Sequence, residues 1–248
     1  MSTDKSDLPQ QASRPIEHRR PYQFLQERRG FGLVGILALL AVFFTGNIPV
    51  ATLGSMPVAV PGGALIVLLW RWWSGTPWRE IGFVRPKSWI ASLTIGLATG
   101  IILKLLLKAV VMPLLGASPI NHSYHFLAGN RVALPAAIWT MIIAAGFGEE
   151  VVFRGYFFER FTRLFGSSPA AKALVVLLTA ALFGAAHYVG QGIPGVEQAV
   201  IVGLVLGTIY TIRPSLFILM CIHAAFDLTA LAIIYWDRES QIAHLLFK

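Results

Sequence analysis

Glu149-Glu150-x-x-x-Arg154, Phe183-x-x-x-His187 and His223-x-x-x-Asp227 set ionisable side chains inside three strongly apolar stretches. Such groups are expensive at bilayer depth and mark a functional site by default. Glu150 and Arg154 are four apart with the acid first, the favourable order for a helical ion pair, so they read as mutually neutralising partners. Glu149 is displaced from Glu150 by about 100° around an α-helix and is left free to face a bundle interior. A free carboxylate in such a place suits a general base, and with His187 and His223 it can activate water against an amide carbonyl. Asp227 lies one turn from His223, where it can fix the imidazole's tautomer, or both can bind a metal. Phe183, one turn before His187, packs beside it. A lone histidine in a membrane helix is often a packing residue and a lone Glu–Arg pair is often helix glue. The joint occurrence on three helices is what points to a reaction centre.

The elements that must position these residues are membrane helices. Over half of the 248 residues are apolar and 13% are charged, with a mean hydropathy of +0.67. That excludes a soluble domain of this size. A crossing of about 30 Å of hydrocarbon takes roughly 20 apolar residues. The sequence predicts an all-α bundle of about seven such helices, at 31–53, 56–72, 89–112, 133–165, 169–189, 196–213 and 214–236. These fill one transmembrane domain over 31–248, with its motif-bearing core at 133–236. Residues 1–30 read as a disordered basic tail rather than a secretory signal.

Glu149 and His187 each lie 19 residues from Ser168, at the turn between the fourth and fifth spans. In two antiparallel helices of equal rise they reach the same depth. Ala180, Ala181, Gly184 and Ala185 let the fifth helix approach its neighbours closely. Cys221, the single cysteine, excludes an intrachain disulfide and reads as a small buried residue.

The net charge of +8 is topological rather than a nucleic-acid signature. With the tail in the cytoplasm, the inner connections carry Arg71, Arg79, Arg85 and Lys87, then Arg160, Arg163 and Lys172, then Arg213. The outer connections, 46–55, 113–132 and 190–195, carry only Arg131, as the positive-inside rule demands. Arg160 and Arg163 are expected to project into the cytoplasm. Trp70, Trp72, Trp73, Trp78 and Trp89 read as an interfacial belt. Lys104 and Lys108 are expected to snorkel to the outer interface, the alternative being a carboxylate partner or a substrate contact, and His122 and His125 to be surface residues. The chain is thus expected to be a multi-pass membrane protein, of the cell membrane if bacterial, with the bilayer as its surroundings and no nucleic-acid partner.

Other intramembrane hydrolases fit poorly. There is no H-E-x-x-H, no Ser or Thr beside His187 or His223, and Asp227 is the one Asp within the spans. The ordered set E-E-x-x-x-R, F-x-x-x-H and H-x-x-x-N/D resembles the CAAX-protease and bacteriocin-processing family of intramembrane endopeptidases, whose type members trim prenylated CAAX proteins. Glu80-Ile81-Gly82-Phe83 also resembles a short segment of many bacterial members, and the similarity covers roughly 75–236. The resemblance implies cleavage of a peptide or membrane-protein substrate in a polar cavity open to the cytoplasmic side. It implies that Glu149 activates the water with help from His187, that His223 and Asp227 line the oxyanion side, and that Glu150, Arg154 and Phe183 support the site. The prenyl-protease members have Asn where this chain has Asp227, and an ionised Asp cannot donate to an oxyanion. Asp227 must be protonated, orient His223, or help to hold a metal. No cofactor is expected; if zinc were used, its ligands would come from Glu149, His187, His223 and Asp227. The alternatives are a non-catalytic member acting as an immunity, scaffold or peptide-binding protein, and a proton-coupled transporter, for which no internal repeat is visible.

Overall fold

Apolar segments of this length cannot leave backbone amides unpaired in hydrocarbon, so they wind into helices. The computed structural model describes residues 34–35, 37–38, 40–41 and 56–247, and among these every regular element is helical. We label them α1 (Met56–Ser74), α2 (Trp89–Leu114), α3 (Leu134–Phe165), α4 (Pro169–Ile212), α5 (Leu216–Tyr235) and the short α6 (Glu239–Ala243). α2 to α5 are each long and apolar enough to cross a bilayer, and the chain is an integral membrane protein. The expected 1–30 tail and most of the expected first span lie outside the described residues.

Two expected spans appear within α4, which is broken at Gly192 (φ +64°, ψ −161°). Only glycine takes that backbone without strain. The two arms fold back on each other. A Cβ added at Gly184 would meet Val200 at 2.3 Å, one at Gly203 would meet Ala180 at 2.9 Å, and one at Gly207 would meet Val176 at 3.2 Å. Partners that descend in number as the glycines ascend define an antiparallel pair. Its closeness depends on residues without side-chain bulk.

The same device joins α2 to α5. A Cβ at Gly96 would come within 2.4 Å of the Cys221 Cβ, and one at Gly100 within 2.2 Å of the Ile222 carbonyl oxygen. α3 runs through the middle. Every residue from Gly148 to Arg160 is buried, as expected of a helix surrounded by others. α3 also departs from the 3.6-residue winding assumed for the sequence. Over Thr140–Glu149 and Val151–Phe157 its hydrogen bonds reach five residues back. Wide turns of this kind are rare and recur at functional sites.

One end of the bundle is closed by the 79–83 segment. The Gly82 carbonyl accepts from the Leu216 amide (2.8 Å). Gly82 has φ +83°, and a Cβ there would lie 2.4 Å from the Tyr210 hydroxyl oxygen. Glu80 pairs with Arg163 at 2.6 Å. Two expectations fail at this end. Trp70 belongs to the core rather than a belt, its ring 4.9 Å from that of Tyr156, while Trp72, Trp73, Trp78 and Trp89 do remain exposed. Arg160 does not project outward. It is buried with Glu159 and lies over the Trp70 ring at 4.6 Å, because a carboxylate and an aromatic face at that depth offset the burial of its charge.

Candidate active site

Glu149 and Glu150 leave adjacent backbone positions toward different surroundings. Glu150 is 0% exposed, and its Oε1 accepts from Arg154 Nη1 (2.8 Å) and from His223 Nδ1 (2.7 Å). Arg154 is in turn held by the Gly203 carbonyl (3.5 Å) and lies over the Phe183 ring at 4.8 Å. The pair therefore ties α3 to both arms of α4 and to α5. Because a carboxylate only accepts, His223 must carry its Nδ1 proton toward Glu150. That leaves Nε2 between two further carboxylates, 3.7 Å from Glu149 Oε2 and 3.6 Å from Asp227 Oδ2.

His187 is fixed by the same logic. Its Nδ1–H donates to the Phe183 carbonyl one turn back (2.8 Å), which frees Nε2 in the neutral ring. Phe183 packs edge-on against both imidazoles, 4.7 Å from the His187 ring and 5.8 Å from that of His223. It is the apolar spacer that keeps the two rings apart and upright.

A cavity of about 120 Å³ collects these groups. Glu149, Phe183, His187, His223 and Asp227 all line it, whereas Glu150 and Arg154 stand behind its wall. The volume holds several waters. Glu149 Oε2 is buried and has no hydrogen-bond partner among the described residues. Its charged neighbour is His223 Nε2 at 3.7 Å. The cavity extends past Ala137 and Tyr124 toward the 115–133 connection, away from the end closed by Glu80 and Arg163.

Several lining residues carried no signal in the sequence. Tyr124 reaches in from the connection, with Gln191 Nε2 donating to its hydroxyl oxygen (3.2 Å). Burial, then the charges of Asp227 and Glu149, push its phenol up, so it serves as a neutral hydroxyl. The expectation that Lys104 and Lys108 snorkel fails. Lys104 is 6% exposed, donates to Gln198 Oε1 (2.9 Å) and lies over the Phe226 ring at 4.8 Å. Lys108 donates to the Pro119 carbonyl and stands 3.7 Å from Glu239. The reason is register: Gly96, Gly100, Lys104 and Lys108 recur every four residues, and the glycines show that this face of α2 is the one turned to α5. His125 is not a simple surface residue either. Its Nδ1 is 2.8 Å from Glu239, a 1% exposed carboxylate that also accepts from the Asn121 amide (2.8 Å). His122 matches expectation, exposed and near Ser118.

Among the described residues no three His, Cys, Asp or Glu side chains are grouped to hold a metal ion. His187 and His223 each hold Nδ1 on a carbonyl or carboxylate and keep Nε2 free of a hydrogen bond, an arrangement that a metal-bound imidazole shares. Comparison with known proteins supplies the family. Residues 131–229, which carry all three motifs, match the model described as type II CAAX prenyl endopeptidase Rce1-like. This segment is Rce1-like. Comparison with curated proteins and with solved structures gave no match. The family is one of CAAX-protease-like endopeptidases, and the matched segment contains the whole acid–imidazole cluster.

Proposed function

We propose that the protein is an intramembrane endopeptidase that hydrolyses a peptide bond with a water activated by Glu149. The observation that carries this reading is the convergence on one cavity of Glu149, His187, His223 and Asp227 from three helices, with the Glu149 Oε2 uncommitted. Glu149 takes a proton from the attacking water while His187 Nε2 accepts from its second O–H and aims it. The water oxygen bonds to the carbonyl carbon, and the oxyanion receives a hydrogen bond from His223 Nε2–H, with Glu150 on Nδ1 balancing the imidazolium charge. Asp227, on the same side, donates in its acid form, the role an Asn has in prenyl-protease relatives. When the C–N bond breaks, Glu149 returns its proton to the leaving nitrogen. No step passes through a metal.

The geometry also bears on the mouth of the cavity. Its rim belongs to the 115–133 connection, opposite the end that carries the basic 71–88 and 160–172 connections. A cytoplasmic mouth and the positive-inside assignment therefore point in opposite directions. The loop charges carry the weight, and the reading adopted is a mouth on the non-cytoplasmic face.

The test is a comparison of membrane fractions from cells expressing the native chain or Glu149→Gln, with new peptide termini mapped by mass spectrometry. Termini that vanish with Glu149→Gln, at unchanged protein abundance, are expected. Identical maps for the two would refute the endopeptidase and leave a binding protein.

A further inference from the structure

A second cavity of about 150 Å³ adjoins the first, and Lys104, Asn121, Gln191 and Gln198 line both. The two differ in charge. Besides the shared Lys104, the first presents Glu149 and Asp227. The second presents Lys104 and Lys108, with Glu239 in its wall. Glu239 is already engaged by the Asn121 amide, His125 and Lys108. Lys108 is spent on Glu239 and the Pro119 carbonyl. Lys104 is different. It is 6% exposed, yet its hydrogen bond goes to a neutral amide, and no carboxylate among the described residues lies within 4.0 Å of it. An ammonium has three donors, and a buried charge calls for a counter-charge. The Phe226 ring at 4.8 Å offsets only part of this.

We propose that the two cavities form one substrate groove, and that Lys104 binds a carboxylate of the substrate in the second cavity while the scissile bond lies in the first. This rests on the endopeptidase reading and adds its substrate chemistry. The charges set direction: a substrate carboxylate is repelled by Glu149 and drawn to the Lys104 ammonium, so the peptide enters in one polarity. Either a chain-terminal carboxylate or an Asp or Glu side chain supplies the group, and at 150 Å³ the cavity admits either with its solvating water.

The experiment uses the full chain as Glu149→Gln in lipid nanodiscs, so that binding is read without turnover. Three random peptide pools are offered: free C-terminus without Asp or Glu, amidated C-terminus with Asp and Glu, and amidated without either. Retained peptides are quantified by mass spectrometry. One carboxylate-bearing pool is expected to be retained about tenfold or more over the neutral pool, the difference a charge-assisted hydrogen bond carries. Which pool it is identifies the source. Adding Lys104→Met is expected to erase the preference, and Lys104→Arg to keep most of it at an unchanged melting temperature. Equal retention of all pools, no retention of any, or a preference that survives Lys104→Met overturns the proposal. The outcome is separable from that of the catalytic reading. Selective retention with no Glu149-dependent cleavage by the native chain would sink the protease and keep the subsite; the reverse would sink the subsite alone.

Discussion

Adjacent glutamates with opposite commitments give a sharp experiment. Glu150→Gln conserves volume but removes the charge that balances Arg154, which is 1% exposed and bonded to Glu150 at 2.8 Å. Breaking a buried pair by removing one partner costs about 3–5 kcal/mol. The amide oxygen can still accept one hydrogen bond, so the expected loss is about 3 kcal/mol, or roughly 10²-fold in the unfolding equilibrium. Glu149→Gln is expected to cost less than about 1 kcal/mol, because Oε2 makes no hydrogen bond among the described residues and lies 3.7 Å from His223 Nε2, too far for one. Unfolding in mixed detergent–SDS micelles, followed by circular dichroism, measures both. A third variant, Glu150→Gln with Arg154→Met, removes the orphaned cation and is expected to recover most of the loss, a coupling of about 2–3 kcal/mol. Activity separates the roles further: it is lost in Glu149→Gln despite native stability, and it stays low in the rescued double variant, since the charge opposite His223 Nδ1 is still missing. Comparable destabilisation by both single substitutions, or full activity in the double variant, would refute the division of labour between the two carboxylates.

Two further outcomes follow from the geometry. Asp227 stands 3.6 Å from His223 Nε2; if it donates to the oxyanion as an acid, Asp227→Asn keeps cleavage within a few-fold and Asp227→Ala lowers kcat by about 10²-fold, whereas equal loss in both would show that its charge is what matters. Ser118, exposed on the rim connection, tests the mouth: in a Cys221→Ala background, Ser118→Cys is expected to react with a membrane-impermeant maleimide on intact cells and not in inverted vesicles, and the opposite pattern would restore a cytoplasmic mouth.

Helix identity was legible because hydropathy over some twenty residues is a local property, and α3 and α5 start and stop within a few residues of the spans read from the sequence. The break in the long α4 was legible as the 190–195 connection between two apolar spans, and it falls at Gly192. The membership of the acid–imidazole cluster was legible too, because a bilayer penalises such groups in any fold. What the sequence could not reveal is which way a side chain turns when two faces are open to it. Lys104 and Lys108 read as snorkelling cations until the contact of Gly96 and Gly100 with α5 turned their face inward. Trp70 and Arg160 read as interface residues until each supplied the other's neighbour. The 115–133 connection, polar and without periodicity, gave no hint that Tyr124 and Asn121 complete the cavity, because their places depend on Gln191 and Glu239, 67 and 118 residues away. Depth in the membrane and chemical type belong to the chain itself. Partners, and hence which charges are spent and which remain free to meet a substrate, arise only where helices distant in sequence touch.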